Sequence, residues 1–179
     1  LSPVFYITVG TGIGGGLVID GEVYRGVGKG ATEIGHLIVP DPDDPANGGI
    51  LERFAAGWGI EARAERTCRD LGPGRVTVKV LADAARRGHP AAATLLRQAV
   101  VALGFAVRQM ITLLCPRRVV IGGGVSLMGD DLFFGPLREA VRRDEFAAFA
   151  GLTDVVPAAL GEEVVVHGAL VLARRKFGG

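Results

Sequence analysis

The chain has 179 residues, of which 49 % are hydrophobic, and its 20 basic and 19 acidic residues leave a formal net charge of +1. That length and apolar share suit one large domain with a buried core. No apolar run approaches the ~18 residues of a membrane span, and the near-neutral charge gives no electrostatic case for nucleic acid or a lipid surface. The two cysteines, Cys68 and Cys115, lack metal-type spacing and read as reduced, partly buried thiols of a cytoplasmic protein. A core strand from residue 4, three residues after Leu1, gives the expectation of a piece of a longer protein.

The first forty residues read as strands at 4–9, 15–19, 22–24 and 37–39. Residues 41–49 hold three aspartates, two prolines, an asparagine and two glycines, and so predict a loop. From Leu51 the period changes: Leu51, Phe54, Ala55, Trp58 and Ala62 fall at helical spacing, giving one helix that ends before Gly72-Pro73-Gly74. A second helix follows Thr77 as N-cap and stops at Gly88. A long third helix starts near Pro90, with Leu96, Val100, Leu103, Val107, Met110 and Leu114 as its buried face and Pro116 as its end. A short buried strand at 118–121 runs into Gly122-Gly123-Gly124. A helix near 132–143, a strand near 154–156 and a last helix from about 163 to 176 complete the chain. Arg63, Arg66, Arg69, Arg86 and Arg87 are expected on solvated helix faces. Antiparallel strands feeding a few parallel ones, with helices on the faces, describe an α/β lobe of the ribonuclease-H-like type, a mixed sheet flanked by helices.

Three segments could carry chemistry. Positions 10–16 hold five glycines and Thr11. Gly10-x-Gly12-x-x-Gly15, with Glu33 18 residues further on, fits the dinucleotide fingerprint, but only if a helix opens at the last glycines. Gly14 to Gly16 and the Leu17-Val18-Ile19 run oppose a helix, and Asp20-Gly21 is a hairpin signal. The glycines therefore join two strands, and backbone N–H groups and the Thr11 hydroxyl can surround an anion at the tip. A plain glycine hairpin is the alternative. The second segment is Gly30-Ala31-Thr32-Glu33-Ile34-Gly35-His36, followed by Glu52. Carboxylates and an imidazole beside open backbone suit a polyhydroxyl ligand, each charge-assisted bond being worth ~1.5–3 kcal/mol. The competing reading is a surface Glu33, a His36 bonded to backbone, and a Glu52 that merely sits in a helix's first turn. The third is Val120-Ile121-Gly122-Gly123-Gly124-Val125-Ser126. A parallel strand entering glycines leaves room for a flat ring and its ribose, although such glycines also serve a simple turn.

Taken in this order, Thr11-Gly12-Ile13-Gly14-Gly15-Gly16, Glu33-Ile34-Gly35-His36, Leu51-Glu52 and Val120-Ile121-Gly122-Gly123-Gly124-Val125-Ser126 resemble the ROK family (repressors, open reading frames and kinases). The resemblance spans almost the whole chain. It implies the carboxy-terminal lobe of the actin/heat-shock ATPase/hexokinase fold over residues 1–179, with the amino-terminal lobe absent. It further implies an ATP-dependent sugar kinase of glucokinase type, whose Mg-ATP γ-phosphate passes to a sugar primary hydroxyl. A sugar-sensing domain of a repressor is the alternative. Gly10, Thr11 and Gly12 match positions near the ATP phosphates, Gly122, Gly123 and Gly124 the turn beside adenosine, and Glu33, His36 and Glu52 the contacts to a hexose or N-acetylhexosamine. Pairing of copies is also implied. The family's catalytic aspartate lies upstream of Leu1, so no catalytic residue is expected here and the piece alone is expected to be inactive. Family members hold zinc with the histidine and three cysteines. Here Ile50 stands at one cysteine position and residues 41–47 contain none, so no zinc is expected.

Overall fold

The computed structural model describes residues 1–28, 30–72 and 74–177. Strand β1 (Val4–Val9) buries alternate residues, Phe5, Ile7 and Val9, as a half-buried strand should. It pairs antiparallel with β2 (Ile13–Ile19), in a register that sets Val9 against Ile13 and Val4 against Val18. The glycine-rich segment is therefore a strand, and no helix opens at Gly14. Strand β3 (Glu22–Val23) follows through Asp20 and Gly21, whose φ of 50° and 83° form the two-residue turn that matches strand twist. Across the other edge of β1, β6 (Arg118–Gly122) and β7 (Asp154–Pro157) add in parallel, so the order is β3-β2-β1-β6-β7. This is the mixed sheet expected from the element order.

Strands β4 (Ile38–Pro40) and β5 (Gly48–Ile50) form a separate antiparallel ribbon. Its second strand falls within the stretch expected as loop; Gly48 and Gly49 are poor strand formers, and only pairing to β4 makes them one. The helix expected from Leu51 is two: α1 (Glu52–Ala55) and α2 (Gly57–Thr67), broken at Ala56 with ψ of 157°. The break has a tertiary cause, since the N–H groups of Gly57 and Trp58 donate to the carbonyls of Gly10 and Thr11 at 2.8 and 3.4 Å. Helix α3 (Val78–Arg86) is capped by Thr77, whose side chain accepts from the N–H of Val80.

Helix α4 (Pro90–Leu114) starts with Pro90 in its first turn and a His89 cap that accepts from the N–H of Ala92 at 3.2 Å. It ends at Cys115 in the left-handed region, φ 40°, just before Pro116. Its buried face follows the expected series as far as Met110, then turns to Ile111, while Leu114 is 39 % exposed. One apolar cluster joins Phe5, Ile7 and Val9 of β1 and Ile121 of β6 to Leu96, Leu103 and Val107 of α4. By length and composition α4 could cross a membrane, but 56 % of its most apolar window is buried by protein. The helix expected near residue 132 begins as a wider turn at Asp130–Phe134 and becomes α5 (Gly135–Arg142). Gly104 brings α4 and α5 together: a Cβ there would lie 2.7 Å from that of Ala140. Helix α6 (Val164–Phe177) closes the chain with Val165, Val166 and Leu170 exposed.

Leu103 is 1 % exposed within the cluster that joins helix to sheet. Leu103→Ala is expected to lower the free energy of unfolding by about 2–5 kcal/mol, read from urea denaturation.

Candidate active site

The β1–β2 tip is tight. Gly10 donates its N–H to the carbonyl of Gly12 at 2.9 Å, and α2 engages the carbonyls of Gly10 and Thr11. Two carbonyls thus turn toward a helix N-terminus that needs acceptors. Among the described residues the N–H groups of Thr11 and Gly12 have no partner, and Thr11 is exposed. The tip opens on a cleft of about 400 Å³ lined by Gly10, Thr11, Gly57, Trp58, Thr77, Lys79 and Gly124, among others. Unpaired N–H groups, a hydroxyl and a nearby ammonium make a setting for an oxyanion.

The glycines after β6 divide their work. A Cβ on Gly122 would lie 2.8 Å from Tyr6 Oη, so this glycine lets side chains pack. Gly123 has φ of 92°, and a Cβ there would lie 2.6 Å from the carbonyl oxygen of Val9. Only glycine allows the chain to cross so close to β1 in that conformation. Gly124 meets no neighbour and opens on the cleft. The turn after it (Gly124–Met128) is held by Ser126, which is 7 % exposed and donates its hydroxyl to Gly123 O at 2.7 Å. A second hollow of about 340 Å³ continues from Lys79 and Gly124 to Leu127, Met128 and Arg86. Arg86 closes its edge by donating to both carboxylate oxygens of Asp131, at 2.8 and 3.1 Å, and to Met128 O at 2.5 Å.

On the other side of the hairpin, Glu33 (φ −70°, ψ 63°) sits at the centre of a tight turn in which Ile34 N–H donates to Thr32 O at 2.7 Å. A short 3-10 turn, Ile34–His36, follows. Ile34 is buried and anchors it, leaving Glu33 and His36 exposed. Glu52 is the link between the two sides. Its Oε1 accepts from the N–H of Ile13 at 2.6 Å. A Cβ on Gly12 would lie 2.7 Å from that same oxygen, and one on Gly35 would lie 2.9 Å from Glu52 Cγ. The structure thus brings Gly12, Gly35 and Glu52 together, while among the described residues no hydrogen bond joins Glu33 or His36 to Glu52.

Pairings on the cleft wall and beyond it carry little sequence signal. Glu61 and Arg75 pair across the cleft wall, with Arg75 Nη2 2.7 Å from Glu61 Oε2. Arg63, expected on a solvated face, is 6 % exposed and donates to Asp43 at 2.9 Å and to Gln98 at 2.6 Å. Its place in the i, i+4 row from Gly59 to Thr67 is the only sequence hint, and the partners lie 20 and 35 residues away. Among the described residues no three His, Cys, Asp or Glu side chains gather where a metal could sit.

A glycine hairpin at the end of a mixed sheet with helices on its faces, and a second glycine turn beside it, define a lobe of the actin and hexokinase fold class. The chain belongs to the ROK family, which it matches over residues 1–176. It is similar to a glucokinase of Thermotoga maritima, at 33 % identity over 97 % of this chain and 58 % of the relative. It is also similar to a xylose repressor of Caldicellulosiruptor bescii, at 26 % identity over 96 % of this chain and 46 % of the relative. The crystal structure of a Streptomyces griseus glucokinase in complex with glucose and AMPPNP superposes with a TM-score of 0.79, at 31 % identity over 97 % of this chain and 61 % of that one. The chain therefore spans roughly half the length of these relatives.

The Asp131–Arg86 pair gives the cleft edge a pH dependence. The hydrogen bond from Arg86 holds the Asp131 carboxyl below its ordinary value, aided by the arginine's charge and opposed by desolvation. A carboxyl depressed on folding stabilises above its unfolded value of about 3.9 and loses that contribution as pH falls through the depressed value. Asp131→Asn should therefore lower stability slightly at neutral pH and make its decline below about pH 4 shallower, as followed by urea midpoints against pH.

Proposed function

We propose that this chain serves as the carboxy-terminal lobe of an ATP-dependent sugar kinase. The observation that carries the reading is the hairpin tip: two N–H groups without partners and the Thr11 hydroxyl, fixed by α2 at the mouth of a cleft. Gly10, Thr11 and Gly12 would cradle the phosphates. Gly124, with Gly122 and Gly123 setting its position, would border the adenosine, for which the hollow beside Leu127 and Met128 offers an apolar wall. Glu33, His36 and Glu52 would orient the sugar through its hydroxyls. The carboxylate that lines the cleft, Glu61, is held by Arg75, so magnesium would be carried by phosphate oxygens rather than by these side chains.

The transfer is mainly positioning and charge stabilisation. Donors at the tip would hold the phosphates of the leaving nucleoside diphosphate, while Glu52, bonded to the next residue of the same hairpin, would hold the sugar in register with them. The proton acceptor would come from a part of the protein outside residues 1–179, and general-base catalysis contributes roughly 10²–10⁴-fold. Repressors also fall among the relatives. The tip's unpartnered N–H groups and the Thr11 hydroxyl favour the kinase, since a domain that only senses sugar needs no phosphate site.

The test is isothermal titration of the full-length protein with AMPPNP and with glucose, mannose and the N-acetylhexosamines, beside a coupled phosphorylation assay. Binding of a hexose and phosphorylation by the full-length protein, with none by residues 1–179 alone, is the expected result. Hexose binding without AMPPNP binding or turnover would favour the repressor, and no hexose binding would remove the sugar site. In the active protein, Glu52→Gln keeps the shape but removes the charge. It is expected to reduce kcat/KM for the hexose by about 10–100-fold, the size of one charge-assisted bond. Unchanged hexose kinetics would take Glu52 out of the site.

A further inference from the structure

The β4–β5 ribbon connects the Glu33–His36 turn to Glu52, yet it stands outside the five-stranded sheet. A lone two-stranded ribbon is marginal in water and needs ties to the body. Its loop is closed locally. Asp41 N–H donates to Asn47 O at 3.0 Å, Asp43 N–H to Asp41 Oδ1 at 2.9 Å, and Asn47 Nδ2 to Asp44 Oδ2 at 2.6 Å. None of these bonds reaches another element. Val39, 1 % exposed, supplies an apolar tie.

The polar tie is Asp43. Oδ2 accepts from Arg63 Nη2 on α2 at 2.9 Å, and Oδ1 accepts from Gln98 Nε2 on α4 at 2.9 Å. Arg63 Nη2 also donates to Gln98 Oε1 at 2.6 Å, so three side chains from three elements close a ring. The carboxylate itself is 64 % exposed, but the Arg63 side chain is only 8 % exposed, and Asp43 is its one ion-pair partner among the described residues. Arg63 Nη1 is buried without a partner. Loss of Asp43 would leave a nearly buried guanidinium with a single neutral acceptor, which is costly. Desolvation pushes the Asp43 carboxyl up, but hydrogen bonds from Gln98 and Arg63 and the charges of Arg63 and Arg66 outweigh it and hold the group below its ordinary value.

The metal implied by the family resemblance does not fit this loop. All three aspartates already accept hydrogen bonds, from Asp43 N–H, from Arg63 and Gln98, and from Asn47. Helix α2 is also the helix whose first N–H groups hold the phosphate-type hairpin. Arg63 lies less than two turns further along it.

We propose that Asp43, clamped by Arg63 and Gln98, is a positioning residue that ties the sugar-side ribbon to the helix holding the hairpin tip. The proposal rests on the kinase reading for its substrate and on the clamp's geometry for the rest. It is tested in the full-length protein with Asp43→Asn, by kinetics and by hydrogen exchange. The KM for the hexose should rise about tenfold, roughly the factor of one mis-set charge-assisted bond, while the KM for ATP stays within about twofold. Amide exchange should quicken in residues 37–51 and stay unchanged in residues 4–19. A merely structural role would raise both KM values together and speed exchange everywhere. If Asp43→Asn fails to fold, the paired Asp43→Leu, Arg63→Met variant removes both charges and should still show the selective rise in hexose KM. Unchanged hexose KM and unchanged exchange in 37–51, with an active wild type, would overturn the clamp alone. A wild type that phosphorylates no hexose would overturn the kinase reading, and slow exchange in Asp43→Asn would then overturn the clamp as well.

Discussion

The bond from Ile13 N–H to Glu52 Oε1 is the constraint that joins the hairpin to the start of α1. It is short, partly buried and charge-assisted, so its loss would cost ~1.5–3 kcal/mol. It also dictates its neighbours. The carboxylate can reach the strand only because residues 12 and 35 carry no Cβ; either would collide with Glu52 or, at Gly35, with Ile13 O at 2.3 Å. Three segments far apart in the chain, the hairpin end, the turn before His36 and the start of α1, thereby share one contact. A carboxylate in the first turn of a helix is ordinarily explained by the helix dipole. Here α1 is four residues long, and the carboxylate is engaged by a strand N–H instead.

The break at Ala56 is the counterpart of that bond. A continuous helix would have satisfied the N–H groups of Gly57 and Trp58 internally, leaving the carbonyls of Gly10 and Thr11 unanswered. Breaking it lets α2 use those N–H groups to orient the tip. Gly59 makes the close turn feasible, because a Cβ there would lie 2.4 Å from Arg53 O. The tip is therefore set from both sides: α2 fixes its carbonyls, and Glu52 fixes the residue that follows it.

The hairpin was legible because the local signals agreed: glycines that disfavour a helix, a β-branched run, and Asp20-Gly21 at the next turn. Long helices were legible from period and caps. What stayed hidden depends on partners distant in sequence. The Ala56 break needs Gly10 and Thr11; β5 needs β4; the inward turn of Arg63 needs Asp43 and Gln98. Of the candidate residues, Glu52, Gly12 and Gly35 share a contact no spacing rule contains. Glu33 and His36 stand out in the sequence as a carboxylate and an imidazole beside glycines, and the structure leaves both exposed. His89 caps α4 with Pro90 following it, and a histidine is not among the residue types that commonly mark a helix start.

The two sides of the cleft differ in how they are built, and the difference bears on what each can do. The hairpin belongs to the central sheet, with β1 paired on both edges and Val9 and Ile13 nearly fully buried. Displacing it would disturb five strands. The β4–β5 ribbon pairs only with itself and meets the body through Val39, Leu51 and polar ties. Segments with few buried contacts open more readily than core strands. A phosphate has fixed shape and charge and is best met by a rigid cradle, since preorganised donors need no rearrangement at transfer. On the kinase proposal, sugars that differ by the orientation of single hydroxyls would meet a ribbon held through a few side-chain bonds, apart from the stiffer hairpin. Glu52 is the residue where the stiff part and the adjustable part meet.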